Sequence, residues 1–185
     1  MALTPSNMVG IGTPAPAFVL PDVRNDTLVS LEDLKGQKGT VIIFMSNHCP
    51  YVVHVENEIG KISAEYEGDG ISFIGISSND IVNYADDSPD KLRAQMDRAG
   101  FNFPYLYDET QEVAKSFDAA CTPDFYLFDE QNKLVYRGRL DESRPGNDIP
   151  VTGNDLRQAI DNLKNGLDQE ETQYPSIGCN IKWKS

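Results

Sequence analysis

Cysteine is scarce in this chain: Cys49, Cys121 and Cys179 are the three in 185 residues. They are too few and too scattered to staple a domain of this size, and an odd count points to individual thiols rather than a disulfide scaffold. Histidine is scarcer still, with only His48 and His54. A structural zinc site needs four ligands, so it would require the distant Cys121 or Cys179 to converge on the same point; no metal and no cofactor is expected. Long apolar runs are missing too. No window approaches the roughly 20 residues that cross a bilayer, and Met1 to Gly10 has neither the basic region nor the apolar run of a secretory leader. A cytoplasmic protein with no membrane partner is the expectation. Cations are outnumbered, 16 Lys and Arg against 29 Asp and Glu, for a net charge of -13. That charge opposes docking on nucleic acid and is the charge of a solvated acidic surface.

What remains is a composition of one domain, residues 1–185, with 39% hydrophobic residues and enough length to bury a core. Proline-punctuated residues 11–21, the polar turn Arg24-Asn-Asp26 and the apolar return at Thr27 to Val29 predict an N-terminal β-hairpin. Ser30 and Asp33 form a capping box for a short helix ended by Gly36. Thr40 to Met45 is an uninterrupted β-branched and apolar run, suited to a strand covered on both faces. Val52, Val55, Ile59, Ile62 and Tyr66 then recur at helical spacing, with Pro50 in the first turn.

A second buried strand is expected at Ile71 to Ile76, a helix after Ser88, a short extended piece at Phe103 to Tyr107 and a short helix from Gln111 to Phe117. Phe125 to Phe128 and Lys133 to Leu140 read as a hairpin. A capping box at Thr152 and Asp155 opens a last helix with a buried stripe ending at Leu167. The tail, residues 168–185, carries no periodicity. The order of elements predicts an α/β fold: a central mixed sheet flanked by helices on both faces.

Cys49 sits where the buried strand hands over to a helix, the place where backbone N–H groups and the helix dipole stabilise an anion. Because the thiolate is the reactive form of cysteine, this makes Cys49 the candidate nucleophile. A buried strand is not ordinarily followed by Ser-Asn-His-Cys-Pro. His48 is either an imidazolium partner for the thiolate or an exposed polar side chain ahead of a helix. Arg137 and Arg139 alternate along a strand and are expected to face solvent.

Pro-Ala-Phe-Val-Leu-Pro-Asp near the N-terminus, Phe44-Met-Ser-Asn-His-Cys-Pro-Tyr-Val52, Cys121-Thr-Pro-Asp-Phe-Tyr-Leu-Phe-Asp129, Arg144-Pro-Gly-Asn-Asp148 and Pro175-Ser-Ile-Gly-Cys-Asn-Ile-Lys-Trp183 together resemble a peroxiredoxin-like branch of the thioredoxin superfamily, within the alkyl hydroperoxide reductase and thiol-specific antioxidant grouping. The resemblance covers nearly the whole chain. It implies a thioredoxin-like fold in which Pro123 is cis and the loop of Cys121, Thr122 and Pro123 lies beside Cys49.

Two registers are open. Counted from Phe44, Cys49 matches the first cysteine of a thioredoxin dithiol motif and Val52 stands at the second, so that motif is absent. Alternatively, Ser46 to Cys49 matches the Thr-x-x-Cys of a peroxiredoxin, but with no Arg at Thr122 or Pro123 to support the thiolate. The resemblance implies a thiol-disulfide oxidoreductase or thiol antioxidant acting on a disulfide or hydroperoxide, with a small thiol or thioredoxin-type protein as reductant. The other reading is a redox-sensing or binding module that keeps the fold without turnover. The site is expected to comprise Cys49, Cys121, Thr122, Pro123 and His48, with Cys121 ranked ahead of Cys179 as the thiol that resolves oxidised Cys49.

Overall fold

The computed structural model describes residues 3–185. Short strands β1 (Leu3–Pro5), β2 (Val19–Pro21) and β3 (Leu28–Ser30) precede α1 (Leu31–Leu34) and β4 (Gly39–Phe44). Then come α2 (Pro50–Glu65), β5 (Ile71–Ser77), a 3-10 turn (Ala85–Asp87), α3 (Pro89–Ala99), β6 (Tyr105–Tyr107) and α4 (Glu112–Ser116). The chain finishes with β7 (Cys121–Thr122), β8 (Asp124–Asp129), β9 (Leu134–Gly138), α5 (Asn154–Lys164) and β10 (Ile177–Asn180).

The main sheet has the order β6-β5-β4-β8-β9. β4, β5 and β6 run parallel, while β8 is antiparallel to β4 and β9 to β8, so the sheet is mixed. The unbroken apolar run of β4 has the expected cause. Val41, Ile43 and Met45 face a core shared with Val52, Val55, Ile59 and Ile62 of α2 and with Leu156 and Ile160 of α5. Ile42 and Phe44 face a second core with Leu20, Leu31, Ala114 and Phe117. Each such side chain withdrawn from water contributes roughly 1.5–3 kcal/mol, so the helices are held chiefly by these stripes. The hairpin of β2 and β3 and the Ser30–Asp33 capping box both form as expected.

Four expectations need correction. The tail is not unpatterned coil: β10 pairs antiparallel with β1 on one side and with β7 on the other, in a separate three-stranded sheet. The Thr152–Asp155 box does not form. Gly153, at φ 65°, is the residue ahead of α5, and the backbone N–H groups of Thr152 and Gly153 instead donate to the Asp141 carboxylate, each at 2.6 Å. Leu167 lies beyond the end of α5 and is exposed rather than part of its stripe. Arg137 and Arg139 do not simply face solvent, since Arg137 Nε donates to the Val9 carbonyl at 2.7 Å and Arg139 Nε to Asp155 at 2.6 Å.

Candidate functional site

The C-terminal ends of β4 and β5, the N-terminus of α2, strand β7 and strand β10 meet at one place, the end of a parallel sheet where sites ordinarily form. Cys49 is the residue capping α2, followed by Pro50 in its first turn. Its carbonyl accepts from the N–H groups of Val52 and Val53, each at 3.0 Å. Its sulfur is fully buried and has two partners. The thiol is 3.3 Å from the Thr122 carbonyl oxygen, and the Cys179 sulfur is 2.7 Å away. The Thr122–Pro123 bond is cis, and Thr122 stands opposite Cys179 in the β7–β10 ladder.

The structure therefore gathers Cys49, Thr122, Pro123 and Cys179. The Cys121 side chain takes another direction, toward the Pro123 carbonyl oxygen at 3.8 Å. Alternation along a strand explains this. Thr122 and Cys121 point to opposite faces of β7, so the ladder that brings Cys179 opposite Thr122 leaves Cys121 facing away. The ranking of Cys121 ahead of Cys179 is thus reversed in space.

Burial is the first cause that pushes the Cys121 thiol up, with the Asp124 charge adding to it. The Cys179 thiol is pushed up to about 12, by burial and then by the neighbouring Cys49 sulfur. Both shifts favour the protonated thiol.

The approach to Cys49 is built around a buried carboxylate. Asp87 accepts from Ser46 Oγ at 2.9 Å, from the Asn47 N–H at 2.7 Å and from Asn79 Nδ2 at 2.6 Å, and His48 Nδ1 lies 3.0 Å from it. Burial opposes its ionisation, yet these hydrogen bonds from His48, Asn79 and Ser46 outweigh it and hold the carboxyl below the usual range. Ser46 Oγ in turn accepts the Cys49 N–H at 3.2 Å, so the carboxylate fixes the loop that carries the thiol. His48 is largely buried, with its ring stacked on Tyr84 at 5.6 Å between centroids.

Behind the loop, buried Glu56 takes hydrogen bonds from Gln95 Nε2 at 3.1 Å and Arg98 Nε at 2.8 Å. Arg98 also reaches Asn47 Oδ1 at 3.0 Å, so this arginine is paired within the scaffold and not with the thiol. A cleft of about 260 Å3 opens beside Pro123, with Tyr51, Arg139, Arg144 and Ile177 among its lining residues.

Asp87, Asn79, Glu56 and Gln95 were not singled out from the sequence. Ser78-Asn79-Asp80 directly after β5 carried a usable signal, because polar residues at the C-terminal end of a parallel strand often face a site. Asp87, one of several acids ahead of a helix, carried none.

A mixed sheet, a cysteine at the start of a helix and a cis-proline loop against its sulfur define a thioredoxin-like protein of thiol-dependent redox chemistry. The chain belongs to the redoxin family, whose model matches residues 11–156. A thiol-disulfide oxidoreductase, ResA, from Halalkalibacterium halodurans is 26% identical over 126 residues, or 67% of this chain and 65% of the relative. This chain thus spans just under two thirds of that relative's length. A provisionally named peroxiredoxin of Mycobacterium tuberculosis is 28% identical over 145 residues, 72% of this chain and 87% of the relative. The crystal structure of an uncharacterized conserved protein from Geobacillus kaustophilus is 52% identical, with TM-score 0.97, covering 100% of this chain and 97% of that one. A Mycobacterium tuberculosis disulfide oxidoreductase shares the fold at TM-score 0.62 with 12% identity, covering 78% of this chain and 94% of its own. The family match includes Cys49 and Cys121 and ends before Cys179.

Among the described residues, no helix is long and apolar enough to cross a membrane.

Proposed function

We propose that the protein is a thiol oxidoreductase in which Cys49 attacks a disulfide or hydroperoxide and Cys179 resolves the product. The observation that carries this reading is the 2.7 Å approach of the two sulfurs, with Cys179 held on a strand rather than a loose end. The Cys49 thiolate attacks a peroxide oxygen, forming an S–O bond as the O–O bond breaks; Cys49 becomes a sulfenic acid and the other oxygen leaves as hydroxide or alkoxide, which takes a proton from water. The Cys179 thiol gives up its proton as it attacks the Cys49 sulfur, forming the S–S bond and breaking the S–O bond, and the departing hydroxide takes that proton and leaves as water. With a disulfide substrate the same two attacks expel its two thiolates in turn. An external thiol or thioredoxin-type reductant returns both electrons to the Cys49–Cys179 bond. His48 precedes the nucleophile and turns Nδ1 to Asp87, so its part is to support the loop that carries Cys49. The substrate-loop role of Thr122 and Pro123 is to hold the carbonyl that accepts from the Cys49 thiol.

Both sulfurs are buried, at 0% and 3% exposure, which favours a small oxidant over a bulky protein disulfide. The same burial is what favours the second reading, a redox-responsive module without turnover.

Mild peroxide treatment followed by non-reducing peptide mapping tests the assignment. A Cys49–Cys179 linked peptide is expected; a Cys49–Cys121 peptide, or stable sulfenic acid on Cys49 alone, overturns the resolving role. Hydroperoxide and disulfide consumption, with glutathione or thioredoxin as reductant, is expected to vanish in Cys49→Ser and persist in Cys121→Ser. No consumption by the unaltered protein with any of these pairs supports the module.

A further inference from the structure

The C-terminal strand is anchored beyond β10 by side chains that come from the other side of the site. The Lys182 N–H donates to Asn79 Oδ1 at 2.8 Å, and its carbonyl accepts from the Asp80 N–H at 2.8 Å and from Gln111 Nε2 at 2.8 Å. Gln111 Nε2 also donates to the Ser78 carbonyl at 2.6 Å, while Gln111 Oε1 accepts the Lys184 N–H at 2.8 Å. Asn79 and Gln111 are both buried, at 3% exposure. Breaking either set therefore leaves polar groups unmatched away from water, which makes the anchor specific in geometry.

Asn79 has a second attachment. Its Nδ2 donates to Asp87, the carboxylate that accepts from Ser46 Oγ, and Ser46 Oγ accepts the Cys49 N–H. One amide side chain thus holds the tail by its oxygen and the nucleophile's loop by its nitrogen. Cys179 lies in the ladder opposite Thr122, three residues before Lys182.

We infer that Asn79, supported by Gln111, is a positioning residue for the resolving step: it fixes Cys179 against Cys49 so that the thiol attack on oxidised Cys49 is intramolecular and needs no search by the tail. This rests on the reading above that Cys179 resolves Cys49. Misplacing reacting atoms by about 1 Å can slow such a step by up to about a hundredfold.

The experiment follows the reduced full chain after a pulse of hydrogen peroxide, with dimedone trapping Cys49 sulfenic acid and N-ethylmaleimide quenching free thiols at timed intervals. The unaltered protein is expected to show the Cys49–Cys179 disulfide and little dimedone adduct. Asn79→Ala is expected to close the disulfide about tenfold to a hundredfold more slowly, with the adduct on Cys49 rising to match. Gln111→Asn shortens the side chain that holds the tail and the Ser78 carbonyl but leaves the Asn79–Asp87–Ser46 arm to Cys49 in place, and Asn tolerates the positive φ of 66° at this position. It is expected to slow closure likewise while the alkylation rate of reduced Cys49 stays within about twofold of the unaltered protein, a split that general loosening of the fold would not give. If Asn79→Ala does not fold, Gln111→Asn alone decides.

Closure at the unaltered rate in a folded variant, with only a lowered melting temperature, overturns the positioning role and leaves the resolving role of Cys179 standing. Absence of the disulfide in the unaltered protein overturns both.

Discussion

The residue after the cis-proline shows how burial alone sets chemistry. Asp124 is buried at 1% exposure and accepts from Ser6 Oγ at 2.7 Å and Tyr126 Oη at 3.1 Å. Burial is the dominant cause that raises its pKa to about 7, and the hydrogen bonds only moderate it. The sign for stability follows. Between pH 4 and pH 7 the unfolded chain has lost this proton while the folded chain keeps it, so the folded form binds more protons and stability falls as pH rises. The Asp124→Asn variant removes that slope. The stability difference between Asp124→Asn and the unaltered protein, from urea unfolding, is expected to move in the variant's favour by about 2–4 kcal/mol from pH 4 to pH 8. A difference that stays flat would mean Asp124 ionises as it does in the unfolded chain. Asp87 is the opposite case: as buried as Asp124 but with enough donors to stay charged, it can serve as the fixed point of the Cys49 loop. Nothing in the local sequence separates these two acids, because the donors come from Asn79 and His48 in one case and from Ser6 in the other.

At the scale of elements, the decisive contact is the approach of β10 to β7. Gly178 lies against Thr122 so closely that a Cβ built on it would collide with the Thr122 carbonyl oxygen, the same oxygen that the Cys49 thiol reaches. Gly178→Ala is expected to push β10 off β7, to cost about 1–3 kcal/mol by overpacking, and to reduce the yield of the Cys49–Cys179 disulfide after peroxide treatment. An unchanged yield would show that Cys179 reaches Cys49 by another route. This strand also marks where sequence reading stopped. β4 and α2 were legible because each carries its own pattern: β4 is apolar on both faces, and α2 has apolar residues three and four apart. With Cys49 at their junction, the centre of the candidate site was legible too. β10 has no such pattern. Its strand form is imposed by β1 on one side and the two-residue β7 on the other, and the chain just beyond it is held by Asn79 and Gln111, all remote in sequence. The start of α5 failed for the same reason, since Asp141, more than ten residues upstream, accepts the Thr152 N–H that the Asp155 side chain was expected to take.

For the molecule as a whole, the net charge of -13 is the property most open to a direct test. A negative field attracts cationic reactants and repels anionic ones, and salt weakens it, the screening length falling from about 30 Å at 0.01 M to about 3 Å at 1 M. Two small disulfides of opposite charge report on it: cystamine, a dication, and glutathione disulfide, an anion at neutral pH. Both are expected to oxidise the reduced protein by the same pair of attacks, so their intrinsic reactivities matter less than how each rate responds to salt. The rate with cystamine is expected to fall several-fold between 0.01 M and 1 M salt and that with glutathione disulfide to rise, both followed by formation of the Cys49–Cys179 bond. The cleft beside Pro123 provides the contrary outcome, because Arg139 and Arg144 line it alongside the acids Asp141 and Glu142. Arg139 is already paired with Asp155, which leaves Arg144 as the cation that could reverse the local field. A glutathione disulfide rate that falls with salt, restored to a rise in Arg144→Gln, would place the approach through that cleft and show that one guanidinium outweighs the charge of the whole surface.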